Sequence, residues 1–184
     1  MQEDYLSSIK KLFAYYKKLG EDAMNQVADE KLFFQPNEDS NSISIIVQHL
    51  SGNMLSRWTN FLNSDGEKEW RTRDAEFETH IKTKSEVYSA WNKGWKCLLN
   101  AIDPLTEADL QKIIYIRNEG HTVIEAINRQ LAHYSYHVGQ IIYLSKMLAD
   151  DDWKSLSIPK NKSDFYNQQK FSQEKGDSFF TDKV

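Results

Sequence analysis

The 184 residues include one cysteine, three prolines and seven glycines. A lone thiol, Cys97, cannot close an internal disulfide, so a disulfide scaffold is excluded and the composition suits a reducing, cytoplasmic setting. So little punctuation disfavours a sheet that turns every ten residues or so and favours long helices. No apolar run approaches the roughly 20 residues of a bilayer-spanning helix. The acidic start, Met1-Gln2-Glu3-Asp4, lacks the basic region of a secretory leader. A basic surplus is missing too. Lys and Arg number 23 against 27 Asp and Glu, for a net charge of −4, and the basic residues are scattered. Neither a nucleic acid nor a membrane is therefore expected as a partner.

What is present is enough for one core. The chain is 40% apolar and 12% aromatic, too rich for general disorder. Four segments repeat apolar residues at spacings of three and four, the mark of one buried helix face. The first spans about residues 4–27, with Gly20 a point where it can break or kink. The second opens at a Ser42 cap and runs to about residue 63. A polar connection to about residue 82 is long for a compact domain, so it wraps the surface or carries function. The third helix covers about residues 84–101 and stops at Asp103-Pro104. Ile113-Ile114-Tyr115-Ile116 is β-prone, yet too short and isolated to imply a sheet. The fourth helix starts at a capping box, Thr122 with Glu125, and ends before Asp150. The expected architecture is an all-α four-helix bundle over residues 1–167, with 168–184 a polar, flexible tail. The tryptophans and Cys97 read as core.

Chemistry concentrates in five histidines, at positions 49, 80, 121, 133 and 137. His133 and His137 stand one turn apart on the fourth helix, where two imidazoles can converge on one ion. Such a pair can also be two half-exposed polar side chains. No Glu follows His133, so this is not a zincin helix with its general base. A third ligand must come from another helix, and His49 is the candidate. Projected at 100° per residue, all three histidines fall roughly 90–130° from the centre of their apolar stripes, on the same rotational side. That places them on a shoulder of the buried face, open to a cleft. His80 and His121 lie in connections and are not expected to ligate.

The string Asn128-Arg129-Gln130-Leu131-Ala132-His133-Tyr134-Ser135-Tyr136-His137-Val138-Gly139-Gln140-Ile141, with Gln48-His49-Leu50 upstream, resembles the DinB-like superfamily. Trp70-Arg71-Thr72-Arg73-Asp74, Glu76-Phe77-Glu78 and Trp153-Lys154-Ser155-Leu156-Ser157-Ile158-Pro159 resemble an uncharacterised bacterial branch of it. The resemblance covers most of the chain, from the first helix to about residue 167. It implies a bundle of up-down-down-up order and a divalent metal held by His49, His133 and His137. The superfamily includes S-transferases that use bacillithiol, mycothiol or glutathione. The resemblance thus implies a low-molecular-weight thiol among small-molecule partners, and allows homodimers.

Together these readings point to a metal-dependent enzyme, a thiol S-transferase or hydrolase acting on a small molecule through an open three-histidine site. Neutral imidazoles suit Zn²⁺ or Ni²⁺. Asn53 and Arg129, one turn from the proposed ligands, are candidates for orienting ligands or substrate. The alternative is a metal- or small-molecule-binding stress protein without turnover, because no general base is evident beside the histidines.

Overall fold

In the computed structural model, residues 4–149, 153–176 and 180–183 are described. Asp4 opens the first helix by accepting the Ser7 amide at 2.7 Å, and α1 (Tyr5–Met24) follows. Ser42 caps α2 (Ile43–Trp58) in the same way, through the Ile45 amide. Reciprocal capping boxes start α3 (Lys84–Ile102) with Thr83 and Glu86, and α4 (Val123–Leu148) with Thr122 and Glu125. A shorter helix, α5 (Ser163–Phe171), lies across the expected start of the tail. Residues 150–152, where the fourth helix was expected to have ended, lie outside the described residues, as do 177–179 and 184 of the tail. From the remaining tail, the turn Phe180–Lys183 packs on α1, its Phe180 ring 5.3 Å from that of Tyr15.

The helices pack α2 on α3 and α1 on α4, and α2 also meets α4. Phe13, Trp91, Trp95 and Tyr134 meet edge-on or tilted at the centre, with centroids such as Trp91–Trp95 at 5.4 Å and Trp95–Tyr134 at 5.9 Å. Those separations fall in the attractive range for ring pairs. Gly20 does not break α1. A Cβ there would lie 2.5 Å from the Trp91 ring, so the glycine makes room for the indole and the helix runs on. The tryptophans at 58, 91 and 95 are core, as expected, whereas Trp70 is exposed and Cys97 is half-buried beside Thr59. Among the described residues no helix is long and apolar enough to cross a membrane.

Two expectations need correction. Periodicity gave α2 a single apolar face, yet Ser44, Ser51, Asn53, Ser56 and Arg57 are buried as well. The 3₁₀ turns Asp29–Phe33 and Asp74–Phe77 pack on α2, covering surface that a bundle alone would leave wet. The second correction is a sheet. Strand β1 (Ile113–Ile116) pairs antiparallel with β2 (Glu119–Thr122), burying Ile114 and Ile116. Both turn residues, Arg117 and Asn118, are left-handed (φ 56 and 62), as a two-residue hairpin loop requires. Their amides donate to the Asp65 carboxylate at 2.8 Å each, and Gly66 donates to the Tyr115 carbonyl. A distant carboxylate and a distant backbone amide thus complete a hairpin too short to stand alone.

Asp65→Ala should therefore lower unfolding stability by about 1–2 kcal/mol in urea titrations, with Asp65→Asn, which keeps one acceptor, losing less. A loss below about 0.5 kcal/mol would show that the hairpin does not depend on this carboxylate.

Candidate metal centre

The long connection after α2 does more than wrap the surface. Gln48 donates its amide to the carbonyls of Ala75, Glu76 and Glu78, at 3.1, 2.9 and 2.9 Å, pinning the Asp74–Phe77 turn onto α2. That turn lays Phe77 against the His49 imidazole, stacked at 4.9 Å. It also brings Glu76 Oε2 to 2.9 Å from His49 Nδ1. His49 is consequently 4% exposed, not on an open shoulder as the helix projection suggested, because the connection covers that side of α2. His133 and His137 on α4 are half-buried opposite it.

The three rings converge through their Nε2 atoms. His49 Nε2 lies 3.4 Å from His133 Nε2, which lies 3.1 Å from His137 Nε2. One ligating atom from each residue falls within 4.8 Å of the others. The far side of two rings decides what these nitrogens carry. His49 Nδ1 faces a carboxylate oxygen, and His137 Nδ1 lies 2.7 Å from Gln140 Oε1. The Gln140 amide is oriented by its own donation to Tyr136 Oη at 3.0 Å. Both acceptors demand N–H at Nδ1, which leaves Nε2 of His49 and His137 as lone pairs aimed at His133. A cation between them fits. Ligands at 2.0–2.1 Å from a tetrahedral ion stand about 3.3 Å apart, close to the separations found.

Electrostatics keep His133 and His137 in the form that a metal would need. Burial, reinforced by His137 and His49, pushes the His133 imidazole down to about 3. Burial also lowers His137, against the hydrogen bond it donates to Gln140. Both are thus neutral near pH 7. Glu76 is the counterpart. Burial alone would raise its carboxyl, but His49 and a two-pronged Arg71 contact (2.7 and 2.9 Å) hold it below the usual carboxylate range. With both oxygens engaged, Glu76 orients His49 and is not free to act as a base.

The other candidate residues lie elsewhere. Asn53 accepts from Tyr134 Oη at 3.0 Å, and that hydroxyl accepts from Trp58 Nε1. Arg129 is exposed and paired with His121 Nε2. His80 sits on the surface beside Glu78. Sequence reasoning missed Glu76, Arg71 and Phe77 as site residues, because nothing local ties the connection to His49. Gln140 was legible in principle, standing at i+3 from His137 on the same helix face.

The model of a family described as "Protein of unknown function (DUF1572)" matches residues 1–162. The chain belongs to the DUF1572 family. This family lies in the DinB/YfiT-like superfamily. No curated protein matches the chain. In this DUF1572 chain the three histidines, Glu76 and Gln140 all fall within the matched residues.

A pH test follows from the depressed His133. Unfolded histidine titrates near 6.5, so below that the unfolded chain takes up a proton that the folded metal-free protein refuses. Stability in chelator should fall as pH drops from about 6.5 toward 4, by up to ~1.4 kcal/mol per pH unit from this residue. The parent's advantage over His133→Gln in urea unfolding should shrink correspondingly. An advantage that stays constant from pH 7 to 5 would mean His133 is not held neutral.

Proposed function

We propose that this DUF1572 protein binds one divalent transition metal through Nε2 of His49, His133 and His137, and acts as a metal-dependent enzyme on a small molecule. The observation that carries the reading is the convergence of three imidazole nitrogens, two of them turned into lone pairs by acceptors behind their rings. An all-nitrogen set of three suits Zn²⁺ or Ni²⁺ over Mg²⁺ or Ca²⁺, which take oxygen. When bound, such an ion would supply Lewis acidity, with three histidines as the ligand group found among the described residues. The chain's own residues do the rest. Glu76 and Gln140 fix the tautomers and rotations of His49 and His137, and Phe77 shields His49 from water.

The finer reading is a DinB-like bundle of up-down-down-up order, from the uncharacterised bacterial branch, working in the cytoplasm as a monomer or homodimer. A low-molecular-weight thiol or water would be the nucleophile, in an S-transferase or a hydrolase respectively. The committed state of Glu76 favours one competing reading, a metal- or small-molecule-binding protein without turnover, since a hydrolase usually needs a free base. Turnover with a panel of thiols and electrophiles separates the two.

The chelator-stripped protein should take up one Zn²⁺ or Ni²⁺ per chain in calorimetric titration, with a rise in melting temperature. His49→Ala, His133→Ala and His137→Ala should each weaken binding more than tenfold and abolish that rise. A rise as large in His49→Ala as in the parent would exclude His49 and sink the three-histidine site. Affinity should also decline as pH falls, because protons compete for the ligating nitrogens.

Glu76→Gln keeps all three ligands but replaces the carboxylate behind His49. It should lower metal affinity by about 10- to 100-fold, the usual effect of losing such a partner. Unchanged affinity would assign Glu76 to structure alone.

A further inference from the structure

Beyond the histidines, between α2 and α4, lies an open cavity of about 630 Å³, bordered on one side by Pro36, Asp39, Ser40 and Asn41. That volume is typical of small-molecule sites. Ile46 of α2 forms one wall, one turn before His49, and Tyr136, Tyr143 and Met147 of α4 form the other. Their exposures of 62%, 70% and 51% are high for such apolar groups. Among the described residues no Lys, Arg or His lines the cavity, and Asp39 is its one charged residue. An anion would meet no cation among them.

Two of its lining residues also belong to the metal centre. Gln140 accepts from His137 Nδ1 and donates to Tyr136 Oη, and the Tyr136 ring lies 4.9 Å from that of His137. Because the Tyr136 oxygen accepts from Gln140, its own O–H remains to donate, and no acceptor for it is found among the described residues. Gly139 adds a separate observation. It sits within α4, where glycine costs about 1 kcal/mol relative to alanine. A Cβ at this position would meet nothing within 4 Å, so no neighbour requires the gap. At Gly20, by contrast, Trp91 fills the space. The opening at Gly139 faces the cavity, and an occupant resting on the helix backbone would account for it.

We propose that this cavity holds the uncharged aryl or branched-alkyl body of the small-molecule substrate, with the Tyr136 hydroxyl donating to an acceptor on it. Gln140 then couples the occupant to His137. The assignment as substrate site rests on the metal-centre reading above; the cavity's preference for an uncharged ligand does not.

The test uses 2-phenylethanol and the carboxylate 3-phenylpropionate, titrated by NMR into the full chain, first metal-free and then Zn²⁺-loaded. The alcohol should bind saturably in both forms, and the carboxylate at least tenfold more weakly in the metal-free form, where no cation can draw it. Gly139→Leu, which fills the gap, should weaken the alcohol at least tenfold while keeping Zn²⁺ affinity within about twofold and a melting temperature no lower than the parent's. Tyr143→Ala, lacking one aromatic wall, should weaken it severalfold and serves if Gly139→Leu misfolds. The proposal is overturned if the parent does not bind the alcohol, if the metal-free protein binds the carboxylate equally well, or if both variants bind undiminished. It is likewise overturned if Gly139→Leu converts a dimer to monomers in sedimentation, which would make the groove an interface between copies. Failure of the parent to bind Zn²⁺ would instead remove the metal reading, and the substrate assignment with it, while the metal-free titration still reports on the cavity.

Discussion

The contact on which the arrangement depends is the buried carboxylate of Glu76. It accepts from His49 Nδ1 on one side and from two guanidinium nitrogens of Arg71 on the other. Removing a carboxylate from water costs several kcal/mol unless every lone pair finds a donor, and here charge-assisted hydrogen bonds supply them. The chain of pairs goes on. Arg71 also contacts Glu67, Glu67 contacts Arg57, and Arg57 donates to the Gly66 carbonyl. Asp65, next in line, holds the hairpin turn. The connection of residues 64–82 is thereby tied to α2 at one end by His49 and to the hairpin at the other. Gly52 completes the fit, since any Cβ there would lie 2.3 Å from a Glu76 oxygen.

A second set of hydrogen bonds fixes how α4 is rotated against α2. Tyr134 is fully buried, and its hydroxyl bridges Asn53 and Trp58 on α2, which satisfies a group that burial would otherwise leave unpaired. Burial raises its pKa well above the ordinary phenol, keeping the O–H donor in place. With Tyr134 turned inward, its neighbour His133 faces the α2–α4 groove, and His137 follows one turn later. Asn53 thus acts on the site through helix register. Its link to the histidines runs through Tyr134, without a hydrogen bond from Asn53 to any of the three.

The same division explains what could be read from the chain. The capped starts of α2 and α4, the aromatic core and the histidine pair are encoded locally, by spacings of three and four and by Thr122 with Glu125. His49 was reached by matching its angular offset to that of a pair more than 80 residues away and by the resemblance carried by Gln48-His49-Leu50. Its burial was missed, because a helix projection says nothing of the turn that covers it. Glu76 and the hairpin share that difficulty. Both are completed by polar groups remote in sequence: His49 for one, Asp65 for the other. Polar contacts of this kind leave no periodic trace.

Among the three histidines the anchoring is unequal, and that bears on how the site assembles. His49 and His137 each have an acceptor behind the ring, whereas no partner for His133 Nδ1 is found among the described residues. Without a cation, His133 Nε2 must serve two neighbouring lone pairs with at most one hydrogen, leaving at least one repelled. A bound cation satisfies all three nitrogens at once. Two of the candidate ligands are therefore preorganised at the expense of folding, and the third would gain its definition from an ion. Preorganisation lowers the cost of binding, while the adjustable third ligand leaves room for the groove beside Gln140 and Tyr136 to shape what approaches. The Glu76 carboxylate is engaged by His49 and Arg71, so in the proposed site selectivity would come from that groove and not from this charged group.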